Sequence, residues 1–260
     1  MRNLSICCCN LLICRMSSTL GSSAGVGAGV DLKESSEVAE YLENLGIEYR
    51  FGCYHEQNPK SCHLLGDYLE GIKKDFAKAL RIYSTNCDDY QHGHSCHKVA
   101  GYKYVGKACT KDADQAYDYF QRGCELGHYN SCLNIGLLDS AKVDKNYFRT
   151  VPPNPTKSLS SYKRACDEGD LAEACHRYSA MFIKGVQNVC EKNMEEAFKY
   201  SLKACELGNL GGCVNLSMMY AKGEGTEKNP VAAKEYGDIA AEMMAQLKEQ
   251  QRIAFAEGAE

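Results

Sequence analysis

The sequence predicts an all-α fold, an α/α solenoid of stacked helix-turn-helix repeats in which a disulfide cross-links each hairpin. Two observations lead to this prediction. The 16 cysteines include five pairs whose members stand 8 or 9 positions apart, and the pairs recur every 34 to 42 residues. Around each pair, apolar residues recur at helical spacing, and glycines stand where helices should end. Repetition at this period is typical of proteins built from stacked helical hairpins.

The repeat is clearest in Tyr200–Gly223, which has the pattern of two short helices joined by a tight turn. The first helix is predicted to end near Cys205, because Gly208 can take the left-handed conformation that closes a helix. The second helix is predicted to begin near Cys213 and to end at Gly223.

The remaining elements follow the same plan along the chain. Asp75 is a predicted helix N-cap at the start of the second repeat, and the polar end of the last helix suits a cap on which nothing stacks. Residues 31–255 are therefore predicted to hold five repeats and a C-terminal capping helix. The predicted repeats cover 34–71, 75–106, 112–138, 156–185 and 193–223, and the capping helix covers 231–254.

The exit from the third repeat differs from the others. Where the other repeats have a short glycine turn, this one continues through Asp139–Pro155, which contains three prolines. Repeat proteins place their variation in surface loops, so the sequence predicts a long exposed loop here.

Two aligned positions indicate where the helices meet. The residue eight positions before each first cysteine and the residue four positions after each second cysteine are small in nine cases out of ten. Small side chains on both helices allow the backbones to approach closely. The positions just before the second set are predicted to fill the core: Leu65, Val99, Ile135, Tyr178 and Leu216.

The cysteine pairs stand at the end of one helix and the start of the next, where a hairpin brings its two helices together. This placement suits disulfides and an oxidising compartment. The alternative is a set of reduced, buried cysteines that serve as small apolar residues. The predicted pairs are Cys53 with Cys62, Cys87 with Cys96, Cys124 with Cys132, Cys166 with Cys175, and Cys205 with Cys213.

Residues 1–30 lie outside the repeat and are predicted to be a flexible or processed N-terminal extension. The apolar run Leu4–Cys14 after Arg2 suits a secretory signal, whereas the arginines and serines with no acid before Asp31 suit a transit peptide. A third interpretation makes Met16 the true start. Four cysteines of this extension are not expected in the fold: Cys7, Cys8, Cys9 and Cys14.

Composition excludes two classes of partner. A net charge of −4 gives no electrostatic reason to expect a nucleic acid. No uncharged run is long enough to span a bilayer as a helix, so no membrane span is expected.

The segments Lys203–Gly208, Asn215–Gly223 and Arg164–Gly169 resemble Sel-one-like repeats, which are relatives of the tetratricopeptide repeat. Further segments are similar to a family of animal cytochrome c oxidase assembly factors built from these repeats, and the likeness covers about residues 35–250. These segments are Cys53–Glu56, Asp67–Ile72, Gln91–His92 with Ser95–Cys96, and Ser179–Phe182.

The resemblance implies a monomeric protein of the mitochondrial intermembrane space that is needed for respiratory-chain assembly. If the N-terminus were a signal peptide, the protein would be secreted instead. The implied partners are oxidase assembly proteins and copper chaperones. Two functions follow: an interaction scaffold whose curved stack presents a concave surface, or a haem-binding reductase that acts on disulfides of the oxidase's copper chaperones.

The residues that could carry chemistry are few. Without any C-x-x-C, the free-thiol candidates are Cys109 and Cys190, expected in exposed turns. For haem, which only the resemblance implies, the candidate ligands are His55, His92 and Met181. No metal site is predicted, although His92, His94, Cys96 and His97 form a dense group. Two S-x-x-K matches, at Ser95 and Ser160, lack the other β-lactamase motifs and are attributed to chance.

Overall fold

The structure is a computed structural model that describes residues 35–141 and 149–257. These residues form eleven α-helices and no β-strand, apart from one isolated bridge between Val186 and Cys190. The predicted all-α solenoid with a disulfide in each hairpin is confirmed. The helices are α1 (Ser35–Tyr54), α2 (Pro59–Gly71), α3 (Phe76–Asp88), α4 (Gly93–Val105), α5 (Ala113–Glu125), α6 (Tyr129–Asp139), α7 (Pro155–Asp167), α8 (Ala172–Lys184), α9 (Met194–Glu206), α10 (Leu210–Lys222) and α11 (Pro230–Glu257).

The chain divides into two compact units, Met1–Asn44 and Leu45–Glu260. The described part of the first unit is the opening of α1. In the second unit the helices from α2 to α11 pack against their neighbours in sequence order, which is the arrangement of a stack of hairpins. The predicted N-terminal extension, residues 1–30, lies outside the described residues. Among the helices that are described, none is both long and apolar enough to cross a membrane.

Side chains and glycines set the helix ends as the sequence predicts. The carboxylates of Asp75 and Asp112 accept hydrogen bonds from backbone N–H groups in the first turns of α3 and α5. Gly223 ends α10 with φ of +76°, and Gly208 has φ of +85° in the turn after α9. The five predicted core residues are buried, with exposures between 0% and 5%.

The close approach of neighbouring repeats depends on a pairing of small and aromatic residues. A Cβ atom placed on Gly66 would lie 2.3 Å from the ring of Tyr83, and one on Gly136 would lie 2.4 Å from the ring of Tyr162. Where the next repeat has no aromatic residue, Ser179 instead hydrogen-bonds to the buried Ser201 at 2.7 Å. At these three interfaces, the small residue predicted from the alignment therefore fits the side chain opposite it.

The segment between the third and fourth repeats is exposed over most of its described residues, as the sequence predicts, but it is anchored at Arg149. Its described part is tied to the stack, because Arg149 is 8% exposed and donates to Asp139, which is 1% exposed. Thr150 donates from both its backbone N–H and its hydroxyl to Asp114. Among the described residues of this segment, Arg149 departs from the prediction, because the buried carboxylate of Asp139 needs a counter-ion. Residues 142–148 of this segment lie outside the described residues.

Candidate functional site

Disulfides join the ends of five successive hairpins. The Cα atoms of the bonded cysteines are 4.4–4.8 Å apart, within the range that a disulfide requires. Nine of the ten cysteines are buried, and only Cys205 is half-buried. This burial favours a structural role for most of the bridges, because it restricts the access of a partner's thiol to their sulfur atoms. The bridges are Cys53–Cys62, Cys87–Cys96, Cys124–Cys132, Cys166–Cys175 and Cys205–Cys213.

Removing one bridge should weaken the stack measurably. We expect Cys87→Ser to lower the free energy of unfolding by about 2–3 kcal/mol, because a closed loop of nine or ten residues restricts the unfolded chain by about that amount. Chemical denaturation of the purified protein measures the change, with Cys109→Ser as the control that leaves all five bridges intact. A loss well under 1 kcal/mol would show that this bridge does not stabilise the hairpin.

Among the described residues, the two cysteines outside a disulfide occupy matching places in the second and fourth repeats. The Sγ atom of Cys109 lies 3.6 Å from the carbonyl oxygen of Tyr102, and the Sγ atom of Cys190 lies 3.7 Å from that of Met181. Tyr102 and Met181 are aligned positions, each six residues after the second cysteine of its hairpin. Both cysteines are half-buried, so the prediction that they lie in exposed turns is wrong.

Histidines and serines from successive repeats form a row beside the disulfides. The Nδ1 atoms of His63 and His92 lie 3.0 and 3.1 Å from the hydroxyl of Ser95. One repeat later, the Nδ1 atoms of His97 and His128 lie 3.0 and 3.1 Å from the hydroxyl of Ser131. Each serine stands just before a disulfide cysteine and therefore bridges two imidazoles of adjacent repeats.

The hydrogen bonds of the first bridge fix its tautomers. His92 Nδ1 accepts from the backbone N–H of Ser95, so the serine hydroxyl donates to His92 as well. A hydroxyl has one hydrogen, so the Nδ1–H of His63 must donate to the same oxygen, which also accepts from Asn86. The hydroxyl of Ser95 is thus fully used, and its burial carries no penalty.

His94 connects the two bridges. Its ring centroid lies 5.7 Å from that of His63 and 4.5 Å from that of His128, and the centroids of His97 and His128 lie 4.3 Å apart. Burial lowers the pKa of His63 and His97 to about 4 and that of His128 to about 3, and the neighbouring imidazoles add to the effect. These three rings are therefore neutral at physiological pH.

The neutral histidines make stability depend on pH. The pKa values of His63, His97 and His128 lie below the value of 6.5 for the unfolded chain, so unfolding takes up protons. Their contribution is complete above pH 6.5 and is lost as the pH falls towards 4. The carboxylate of Glu70 affects stability only at a lower pH. Burial raises its pKa, but hydrogen bonds from Lys107 and Lys98 outweigh burial and lower the pKa to about 2.

We therefore expect the free energy of unfolding to decrease as the pH is lowered from 6.5 to 4.5. Replacing His97 with Gln should flatten this dependence, whereas His55→Gln, at an exposed histidine outside the row, should leave the slope unchanged. Urea denaturation at half-unit pH steps measures both effects. An identical slope in the His97 variant would rule out the row as the source of the pH dependence.

The row stops at the fourth repeat. His176 aligns with His63 and His97, but its Nδ1 is buried without a hydrogen-bond partner, since Gly212 stands where the serine would be. A Cβ on Gly212 would lie 2.7 Å from that of Ala204, because the residues before the two cysteines of a hairpin face each other across the turn. Repeat three has the opposite arrangement, because its glycine precedes the first cysteine and its serine precedes the second. Gly123 there lies opposite Ser131.

The three haem candidates lie in different repeats, and no contact among the described residues joins them. His55 is exposed and stacks on Phe51 at 4.6 Å, His92 belongs to the histidine row, and Met181 packs against the core. Neutral imidazoles are the form that ligates iron, so the donor chemistry of the row suits haem. Within the described ranges, no three His, Cys, Asp or Glu side chains are placed to hold a metal ion.

Sequence reasoning missed the serine-bridged histidines and the buried pair of Asp139 and Arg149. Signals for both were present. His63 and His97 are 34 residues apart and Ser95 and Ser131 are 36 apart, which is the repeat period. Asp139 aligns with Leu69 and Phe182, so it is a charge at a position where the first and fourth repeats place an apolar residue.

Comparison with known proteins adds two findings from sequence. The family model described as Sel1 repeat matches five segments, residues 59–85, 93–128, 146–170, 172–209 and 211–243. A cytochrome c oxidase assembly factor 7 homolog of Drosophila melanogaster is 41% identical over 88% of this chain and 97% of its own length. Cytochrome c oxidase assembly factor 7 of Xenopus tropicalis is 38% identical over 88% and 98%, and that of Homo sapiens is 37% identical over 79% and 88%.

Solved structures show the same fold. A Sel1 repeat protein from Oxalobacter formigenes superposes with a TM-score of 0.66 at 19% identity, covering 80% of this chain and 83% of its own. The Escherichia coli protective antigen c5321 gives a TM-score of 0.51 at 18% identity, over 80% of this chain and 55% of the antigen. At these identities, the likeness concerns the fold alone.

Proposed function

Because this chain belongs to the Sel1 repeat family and, within it, to the cytochrome c oxidase assembly factor 7 proteins, we propose that it promotes assembly of mitochondrial cytochrome c oxidase. The observation that carries the proposal is identity of 38–41% over 97–98% of the length of two such relatives. The proposed location is the mitochondrial intermembrane space, where five disulfides can form and persist.

In this proposal the chain acts as an interaction scaffold for oxidase assembly proteins and copper chaperones, and it acts as a monomer. Two features support a scaffold. The disulfides, small-to-aromatic contacts and helix caps all serve to hold the stack, and a stack of hairpins offers an extended surface for partner proteins. Most bridge sulfurs are buried, which limits their use in exchange with a partner.

Rescue of a cell line that lacks the protein tests the assembly role. Wild-type protein should restore assembled cytochrome c oxidase on native gels, and protease protection of intact and outer-membrane-ruptured mitochondria should report the compartment. Unchanged oxidase in the deleted line would refute the role. Protection that persists after rupture of the outer membrane would refute the intermembrane-space location.

A second candidate function is reduction of disulfides in the copper chaperones, for which the half-buried thiols of Cys109 and Cys190 are candidate reactive groups. A variant with both Cys109→Ser and Cys190→Ser separates a scaffold from a reductase that uses these two thiols. A scaffold restores oxidase assembly without these thiols, whereas a reductase that depends on them does not. In the same preparations, the redox state of the chaperone cysteines reports the enzymatic alternative directly.

Haem binding belongs with this second candidate. His92 and its neighbours in the histidine row are the proposed source of an iron ligand, since His55 lies apart from the row and Met181 packs against the core. Titration with hemin tests the proposal. A Soret shift that His92→Ala abolishes and His55→Ala retains would support it, and the absence of any shift in wild-type protein would refute it.

A further inference from the structure

A basic side chain from one repeat reaches the first disulfide cysteine of the repeat before it, at three successive interfaces. The residue involved stands two positions before the next repeat's own first cysteine. Arg122 donates to the backbone carbonyl of Cys87 at 3.0 Å, and Lys203 donates to that of Cys166 at 2.8 Å. These two contacts cap the end of a helix and leave the disulfide alone.

Arg164 is the exception, because its Nη1 atom lies 3.8 Å from the Sγ atom of Cys124 instead of meeting a carbonyl. Turn length accounts for the difference. In hairpins with eight-residue spacing, the N–H of the turn glycine closes onto the carbonyl of the first cysteine, as Gly127 does on Cys124 at 3.0 Å. With that carbonyl occupied, the guanidinium lies against the sulfur.

The other hairpin with eight-residue cysteine spacing, Cys205–Cys213, lacks a cationic side chain at the matching position. Gly208 closes onto the carbonyl of Cys205 in the same way, but the matching position in α11 is Ile239. In repeat two the matching position is Thr85, which carries no charge to place beside Cys53. Of the three aligned cationic side chains, Arg122, Arg164 and Lys203, only Arg164 lies against a disulfide sulfur.

We propose that Cys124–Cys132 is the redox-active pair of this chain, the disulfide that small thiols open and whose Cys124 thiolate then exchanges with a disulfide of a partner protein. A guanidinium beside the sulfur stabilises the thiolate and so favours the reduced pair. Cys124 is also the more exposed cysteine of the pair, at 7% against 0% for Cys132. An outer nucleophile and an inner resolving thiol are what such exchange requires.

The steps balance with glutathione as reductant. A glutathione thiolate attacks Cys124 Sγ, the disulfide bond breaks, and Cys132 leaves as a thiolate that takes a proton from water. A second glutathione thiolate attacks the glutathione sulfur, which releases oxidised glutathione and leaves Cys124 as a thiolate beside Arg164. This thiolate attacks a partner's disulfide, and deprotonated Cys132 resolves the mixed disulfide, which returns the bridge and delivers a partner dithiol.

The inference rests on the second candidate function only in its last step, exchange with a partner. The opening of the pair is tested on the purified full-length protein alone. Equilibration in glutathione buffers, alkylation and mass spectrometry give the reduced fraction of each of the five bridges. We expect Cys124–Cys132 to open at the least reducing ratio, and Arg164→Gln to make this bridge about tenfold harder to reduce.

Arg122→Gln is the matched control, because Arg122 holds the equivalent position but contacts a carbonyl. Arg164→Lys should keep most of the effect, since it keeps the charge. In the reduced protein, thiolate absorbance near 240 nm should show a higher thiol pKa after Arg164→Gln, which a purely structural contact would not produce.

Two results would overturn the proposal. One is opening of Cys205–Cys213 first, as exposure alone would dictate, because Cys205 is the half-buried member of the set. The other is an Arg164→Gln shift no larger than that of Arg122→Gln. The exchange step is tested separately with Cys132→Ser. Its Cys124 thiolate should attack added oxidised glutathione, release one glutathione thiolate and stay trapped as a mixed disulfide with the other glutathione. If Cys124–Cys132 opens as expected but the chaperone disulfides stay oxidised, the pair is redox-active and the reductase function is refuted.

Discussion

Replacing Asp139 with Ala should lower the free energy of unfolding by about 3–5 kcal/mol, because it leaves the buried guanidinium of Arg149 without its counter-ion. The side chains of Arg149 and Asp139 are 4% and 1% exposed and lie 3.1 Å apart. The same carboxylate accepts a hydrogen bond of 2.6 Å from Tyr117, so the substitution also removes the partner of a buried hydroxyl. Chemical denaturation followed by circular dichroism measures the loss.

A double variant shows whether the loss comes from the unpaired charge. Asp139→Leu with Arg149→Met replaces the pair by apolar side chains, as Leu69 and Phe182 do at the aligned positions, and should recover most of the stability. A double variant as unstable as Asp139→Ala would instead assign the loss to packing of the segment that carries Arg149.

Replacing Gly136 with Val should destabilise the protein by about 3 kcal/mol. The first added carbon would lie 2.4 Å from the ring of Tyr162, which is 2% exposed and cannot move outward without opening the interface between the third and fourth repeats. Ser158 also hydrogen-bonds to the carbonyl of Gly136 at 2.9 Å, which holds the two helices at this distance. Thermal and urea denaturation measure the effect.

Gly101→Val is the matched control on a neighbouring helix. A Cβ at Gly101 meets no atom within 4 Å, so valine there should change stability by less than about 0.5 kcal/mol, the difference in helix propensity. Equal losses at Gly101 and Gly136 would show that the cost reflects helix propensity and not the contact with Tyr162.

The two predictions above concern stability, and the proposals about function are tested separately. The family assignment supports a role in oxidase assembly, and the histidine row and the Cys124–Cys132 pair give that role chemistry that can be tested on the isolated protein. Each test changes one side chain whose neighbours are known and compares it with an aligned residue in another repeat. The repeat itself thus supplies the controls, because aligned positions share backbone geometry and differ in side-chain partners.

The periodic features of this protein follow from its amino-acid sequence alone. Cysteine spacing predicts which sulfurs lie at the two ends of one turn, and Asp75, Gly208 and Gly223 predict helix ends through their own side chains or backbone freedom. These features are local: each depends on residues within one hairpin. The core residues follow as well, since helical periodicity marks the buried face of each helix.

Contacts between residues of different repeats, in contrast, are set by the tertiary structure. The bridge from His63 through Ser95 to His92, the approach of Arg164 to Cys124 and the burial of Arg149 against Asp139 join residues 10 to 40 positions apart. A shift of one residue in turn length changes which atoms are free to accept, as the carbonyl of Cys124 shows. Contacts between repeats depend on such small displacements, and these are fixed by how the hairpins stack.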